Sequence, residues 1–305
     1  MMLKIANHPI YRYALPQGHR FPMIKYELLP RVLIDQGICT TENFFEPQRV
    51  TPELILKVHG KDYYNRLINL SLDKKEIRKI GFPLRQELVD RSHYIIGGTI
   101  EGCQYALSHG VGMNIAGGTH HAFKDHGEAF CLLNDQAIAA RYLLETKKAR
   151  KILIIDLDVH QGNGTAALFK QDPNVFTFSM HGAKNYPFKK ETSDLDIGLQ
   201  NDTQDALFLE ILENTLPKLL RKVSPDFIFY LSGVDILASD KLGKLGCTLQ
   251  GCMQRDRFVF ESCNRANIPV QVSMGGGYSK DIDIILEAHK NTFKTAQETF
   301  FNKLF

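Results

Sequence analysis

An α/β fold, with a mainly parallel sheet flanked by helices on both faces, is predicted by three features of this 305-residue sequence. Short β-branched runs alternate with longer helical patterns through the C-terminal two thirds, as βαβ units do. The runs are continuously apolar, as burial on both faces of a sheet requires. Polar residues gather where the runs end, and open α/β sheets bind ligands outside the carboxyl ends of their strands.

The elements follow in order. GHRFPMIKYELLPRVL (18–33) reads as a loop entering a helix. LRQELVDRSHYIIGGTIEGCQYALS (84–108) is mostly helical, with Gly97–Gly98 as a point of close packing. KILIIDLDV (151–159) reads as a strand followed by a helix near Thr165–Lys170, and VFTFSMH (175–181) as another strand. DALFLEILENTLPKLLRKV (205–223) is apolar at helical spacing, with Pro217 predicting a kink or an early stop. A strand at 226–233, a helix over Met253–Ala266, a strand at 268–276 and a helix over Ile282–Phe300 complete the chain. The N-terminal third is less regular but shows no boundary, so residues 1–305 are expected to form a single domain.

Composition narrows the function. Hydrophobic residues make up 44% and charged residues 23%, an ordinary globular balance. The 37 Lys and Arg against 34 Asp and Glu leave +3, too even to point to nucleic acid or an anionic membrane, though a basic peptide stays open as a substrate. The six cysteines form no CxxC pair, so reduced thiols in a cytoplasmic protein are expected. The start, MMLKIANHPIYRYALP, carries no long apolar run, so no secretory signal is expected, and no stretch has the length of a membrane helix.

IIDLDVHQGNG (154–164) carries the first candidate site. A strand sends i and i+2 to one side, so Asp158 and His160 can aim at one point, and Asp235 in LSGVDIL can join them from another strand end. Two carboxylates and an imidazole suit a divalent ion, and three protein ligands leave a position for water or substrate. Taken alone, DxDxH serves equally to cap the next helix. GGTHHAFKDHGEAF (117–130) supplies a second candidate: His120 and His121 in a turn opened by two glycines, with Asp156 to orient one of them for proton transfer. The pair also suits exposed loop histidines or further ligands. SMGGGYS (273–279) supplies a third, where Gly276 and its neighbours let backbone crowd a ligand and Tyr278 can donate to an oxyanion. A flexible turn with a packed tyrosine has the same pattern.

Together GGTHHA, AFCLLND, IIDLDVHQGNG, LSGVDIL and MGGGY resemble the zinc-dependent histone deacetylase family, over nearly the whole chain. GHRFPMIKY and GGTI (97–100) look most like its class IV branch and bacterial relatives. The resemblance implies the three-layer arginase/deacetylase fold and a metal-dependent hydrolase that removes an acyl group from N-acyl-lysine or a related acetylated amine. It implies Asp158, His160 and Asp235 as ligands of Zn2+, with Fe2+ equally suited to the donor set. It implies His120 and His121 beside the metal, Asp156 holding His120, and Tyr278 polarising the amide carbonyl. Phe130 and Tyr186 would wall a narrow tunnel for the acyl-lysine stem. A potassium site would draw on Asp156, Asp158, His160, Ser179 and Met180.

Two positions depart from the family pattern. Asn163 stands where a second aspartate is frequent, which should make His121 easier to deprotonate and the better general base. Ala129 stands where glycine is frequent before Phe130, which narrows the tunnel on one side. Two other readings compete: an arginase-like ureohydrolase with two metal ions, and a non-catalytic scaffold that keeps the fold. The acyl group and the oligomeric state are not legible in the sequence.

Overall fold

The computed structural model of the chain describes residues 2–301. One all-parallel sheet holds eight strands: β1 Ile5–Ala6, β2 Phe44–Phe45, β3 Val111–Asn114, β4 Ile152–Asp156, β5 Val175–Gly182, β6 Leu195–Leu199, β7 Phe227–Leu231 and β8 Val270–Ser273. Their order across the sheet is β2-β1-β3-β8-β7-β4-β5-β6. The helices are α1 Lys25–Asp35, α2 Pro52–Ile55, α3 Lys61–Ile68, α4 Lys74–Ile80, α5 Gln86–His109, α6 Asp135–Glu145, α7 Asn163–Leu168, α8 Asp205–Val223, α9 Leu249–Arg265 and α10 Ile282–Phe300.

The register lines up the strand ends. Asn114 pairs with Ser273, Ser273 with Leu231, Leu231 with Asp156, and Asp156 with Ser179. One row of residues thus crosses the sheet, and the loops after β3, β4, β7 and β8 leave from a single edge. Strand order reverses between β4 and β7, because the chain runs from β4 outward to β5 and β6 and then returns to β7 on the other side. Such a reversal opens a crevice at the carboxyl edge.

Side chains alternate between two helical layers. Ser273 of β8 reaches Asp135 of α6, and Gln271 packs against Gly102 of α5. Tyr230 of β7 points the other way, donating to Asp256 of α9 at 2.5 Å and meeting Phe260 edge-on. The Gly97–Gly98 pair is a close approach as expected: a side chain on Gly97 would meet the Gln48 carbonyl at 1.9 Å.

Several boundaries differ from the sequence reading. β4 ends at Asp156, where its pairing with β5 and β7 ends, so Asp158 and His160 stand on the following loop and not on a strand face. The strand expected to 276 stops at Ser273, leaving MGGGY as loop. α9 starts at Leu249, earlier than expected, because Thr248 caps it by accepting from the Gly251 N–H. Pro217 neither stops nor shortens α8. A mid-helix proline costs about 3 kcal/mol, but buried Leu212, Leu216, Leu219 and Val223 each return about 1.5–3 kcal/mol along one stripe. The short N-terminal strands and β3 escaped the periodicity because two to four residues carry too little pattern. All six cysteines are free and buried, and no described helix is long and apolar enough to cross a membrane.

His59, between α2 and α3, ties down the loop after β3. Its Nδ1 donates to the Phe123 carbonyl at 2.8 Å and its Nε2 accepts from the Asn134 N–H at 2.9 Å. One donor and one acceptor demand a neutral ring, and burial lowers its pKa to about 4. The folded value lies below the unfolded one, so the folded chain binds fewer protons and stability falls as pH drops from about 6.5 to 4. The loss from this group should reach about 3 kcal/mol. Urea unfolding across that window should show a shallower acid loss in His59→Gln; an identical slope in both proteins would discard the assignment.

Candidate active site

Four loops from the carboxyl edge meet over the crevice. From the loop after β4, the Asp156 carboxylate accepts from the Asp158 N–H at 3.1 Å, and Asp158 Oδ1 accepts from the His160 N–H at 2.9 Å. These local bonds turn the chain so that both side chains face the crevice. From the loop after β7, Asp235 Oδ1 accepts from the Val159 N–H at 3.0 Å and so locks the two loops together. From the loop after β8, Gly276 N–H donates to Asp158 Oδ2 at 2.9 Å. A side chain on Gly276 would meet Asp235 Oδ2 at 2.1 Å and Asp158 Oδ2 at 2.8 Å, so only glycine leaves the carboxylates room.

Behind them lies Arg255 of α9, fully buried. Its guanidinium donates to the carbonyls of Leu157 at 3.3 Å, Gly233 at 2.6 Å and Ser232 at 3.3 Å, and pairs with Asp256 at 2.8 Å. One cation therefore holds both loops that carry Asp158 and Asp235. Breaking a buried pair by losing one partner costs about 3–5 kcal/mol, a large share of a domain's stability.

The Asp158, His160 and Asp235 donor atoms lie within 4.8 Å of one another, and all three side chains are buried. His160 Nδ1 is 3.0 Å from Asp158 Oδ1 and 3.1 Å from Asp235 Oδ2. Burial works against a charge on this ring, yet the bonds to the two carboxylates lift its pKa to about 10. The cluster thus demands positive charge at the point where the three donors converge, and the residues fit a divalent cation there.

The tandem histidines sit beside this cluster, their ring centroids 4.0 Å apart. His120 Nδ1 faces Asp156 Oδ2 at 2.7 Å, and His121 Nδ1 faces Asn163 Oδ1 at 2.6 Å. Burial lowers the pKa of both. For His120 the Asp156 charge and hydrogen bond outweigh it, holding the ring above the usual imidazole value. For His121 burial and the neighbouring His120 and His160 push it well below.

Asn163 donates in turn from Nδ2 to Glu128 Oε1 at 2.7 Å, and Lys79 Nζ meets Glu128 Oε2 at 2.6 Å. Burial raises the Glu128 carboxyl, but hydrogen bonds from Lys79, Tyr186 and Asn163 together carry it below its ordinary value.

Tyr278 is 9% exposed, and its backbone N–H donates to Asp240 Oδ2 at 2.6 Å. Its ring centroid lies 6.4 Å from His160, 6.0 Å from Phe130 and 5.9 Å from Phe21. Tyr186 approaches His121 edge-on at 5.1 Å. Ala129 and Phe130 take left-handed φ of +46° and +69°, pinned by N–H donation to the carbonyls of Lys79 and Ile80 at the end of α4. An inner cavity of about 40 Å³, room for a water-sized molecule, is lined by Phe130, His120, His121, Asp158, Gly276 and Tyr278. Tyr186 joins Phe130, His121 and Tyr278 around the outer mouth. Ser179 and Met180 are buried in β5, where Ser179 pairs in register with Asp156.

The structure therefore brings the candidate residues together around the crevice, except Ser179 and Met180, which lie in β5 beside the end of β4. Glu128 and Lys25 were missed. Glu128 lies inside the quoted GGTHHAFKDHGEAF, and a charge between Gly127 and the apolar AFC was its signal. Lys25 is fully buried, donates to the Gly275 carbonyl at 3.2 Å and lies 5.9 Å from the Tyr278 ring. Burial lowers its pKa to about 8, against the pull of Asp235, Asp158 and Asp240.

Comparison with known proteins identifies the family and the fold. An uncharacterised protein of Picosynechococcus sp. is 43% identical over 300 residues, covering 98% of this chain and 100% of its own. Histone deacetylase 2 of Arabidopsis thaliana is 28% identical over 284 residues, covering 90% of this chain and 73% of its own. The acetoin utilization protein AcuC of Staphylococcus aureus is 29% identical over 298 residues, with 90% and 76% covered. The crystal structure of the HDA15 HD domain superposes with a TM-score of 0.79 at 18% identity, covering 96% of this chain and 90% of that one, which shows a shared fold. Residues 19–294 match the histone deacetylase domain, and the chain belongs to the histone deacetylase family.

Proposed function

We propose that the protein is a metal-dependent amidohydrolase that deacylates N-acyl-lysine in a peptide or protein, or a related acetylated amine. The observation that carries this reading is the convergence of three buried donors beside two histidines with opposite electrostatic settings. Asp158, His160 and Asp235 would hold the cation, Zn2+ or Fe2+. When bound, such an ion supplies Lewis acidity that polarises a carbonyl and acidifies water. A single such cluster among the described residues supports one ion, not the pair a ureohydrolase uses. Asp156, Asp158, His160, Ser179 and Met180 would hold K+ behind it.

The chain's own groups then divide the proton work. Glu128 is a carboxylate and accepts only, so Asn163 turns its NH2 to Glu128 and its oxygen to His121. His121 therefore carries its proton on Nδ1 and presents a bare Nε2, able to take a proton from water at neutral pH. His120, charged by Asp156, is the better donor to the leaving amine. Tyr278 donates to the developing oxyanion, and Phe130 and Tyr186 exclude water from the stem of the substrate.

Three outcomes are expected. Asp158→Ala should lose metal and hydrolysis of acetyl-lysine peptides together; stoichiometric metal in that variant, measured by elemental analysis, would remove Asp158 from the ligand set. Tyr278→Phe should lower kcat by about 10²–10³ with metal content kept, as loss of one oxyanion donor does; near wild-type turnover would exclude the tyrosine. Glu128→Gln frees Asn163 to flip and should lower kcat on the order of tenfold. Adding Asn163→Asp should restore turnover, since the introduced glutamine amide can donate where the Glu128 carboxylate could not, whereas Asn163→Asp alone sets two carboxylates face to face. No rescue in the double variant would refute the relay.

A further inference from the structure

The mouth outside the cavity has a volume of about 450 Å³, and its charged rim is one-sided. Arg20, Lys79, Lys184 and Lys244 line it, while no Asp or Glu does. Lys79 is matched by Glu128, but among the described residues Arg20, Lys184 and Lys244 make no ion pair. Arg20 lies over the Phe130 ring at 5.0 Å, and Lys244 Nζ donates to the Lys184 carbonyl at 3.3 Å, which keeps both at the entrance. The segment KNYPFKK (184–190) presents Phe188 with 90% of its surface exposed, while Lys190 turns back to donate to the Asn185 and Pro187 carbonyls at 2.6 Å. The whole chain carries only +3, so this rim is not a reflection of bulk charge.

We propose that this rim selects acyl-lysines set among acidic residues, and disfavours the basic surroundings that the family name suggests. The proposal rests on the deacylase reading above. An acyl-lysine stem that passes between Phe130 and Tyr186 toward the inner cavity leaves its flanking peptide on the rim, where Arg20, Lys184 and Lys244 meet carboxylates and repel lysine or arginine. Phe188 offers the peptide an apolar contact between them. Exposed charges of this kind act through approach and orientation, and salt screens them.

The test uses the full chain with its metal and four substrates: acetyl-lysine peptides of equal length flanked by Asp, by Ser or by Arg, and free Nε-acetyl-lysine. The Asp-flanked peptide should exceed the Arg-flanked one in kcat/KM by about tenfold or more at low salt, with the ratio shrinking as salt rises. Lys184→Glu combined with Lys244→Glu should reverse the order. Equal efficiency for the three peptides, or no response to charge reversal, overturns the proposal and leaves the deacylase reading intact. Free acetyl-lysine outrunning every peptide overturns it too, in favour of a small-molecule substrate. Hydrolysis of none of the four at full metal occupancy overturns the deacylase reading. Fluorescence anisotropy of the same labelled peptides then decides the rim by itself: tighter binding of the acidic peptide upholds its selectivity, and equal binding rejects it.

Discussion

Two carboxylates at the end of a buried sheet, with almost no access to water, set the terms for everything around them. Asp158 and Asp235 are 2% and 0% exposed. Isolated charges in such a place cost many kcal/mol, so their surroundings must answer them. The answer is spread over the neighbouring chain. Backbone N–H groups of Val159, His160 and Gly276 point at them, and His160 is pulled toward a second proton between them. The remaining demand is for a cation, which is the demand a hydrolytic metal site uses.

That demand explains the sheet's geometry. The four loops that answer it must start at one level, and the row Asn114, Ser273, Leu231, Asp156, Ser179 provides that level. The reversal of strand order between β4 and β7 keeps the crevice open where the two carboxylates stand. Arg255 then fixes both loops to α9, adding a buried guanidinium to the backbone bonds that hold the carboxylates in place. A row farther out, His121–Asn163–Glu128–Lys79, carries polarity from the cavity to the surface, so rim and interior belong to one electrostatic system.

Much of this was legible in the sequence, and the reasons differ by element. β4, β5, β7 and α10 announce themselves through long apolar runs with clear periods. The two-residue strands β1 and β2 do not, because tertiary pairing creates them, β1 against β3 and β2 against β1. Asp158, His160 and Asp235 were readable from residue type at strand ends, although the local turn, not strand alternation, aims the first two. Glu128 and Lys25 were not, because their roles depend on partners 35 and 250 residues away. The motif GHRFPMIKY has a physical job in the structure, since Phe21 and Lys25 lie against the ring of Tyr278 and Tyr26 stacks on Phe21.

The bond from Lys25 to Gly275 spans nearly the length of the chain. During synthesis its two ends appear far apart in time: at typical ribosomal rates of about 5–20 residues per second, the first waits on the order of 10–50 s for the second. Until then Phe21 has no Tyr278 ring to cover, and Lys25 lacks the Gly275 carbonyl. Phe21 can meet Phe82 and Phe130 much earlier, so the wall of the pocket forms first and its closure over Tyr278 comes late in synthesis.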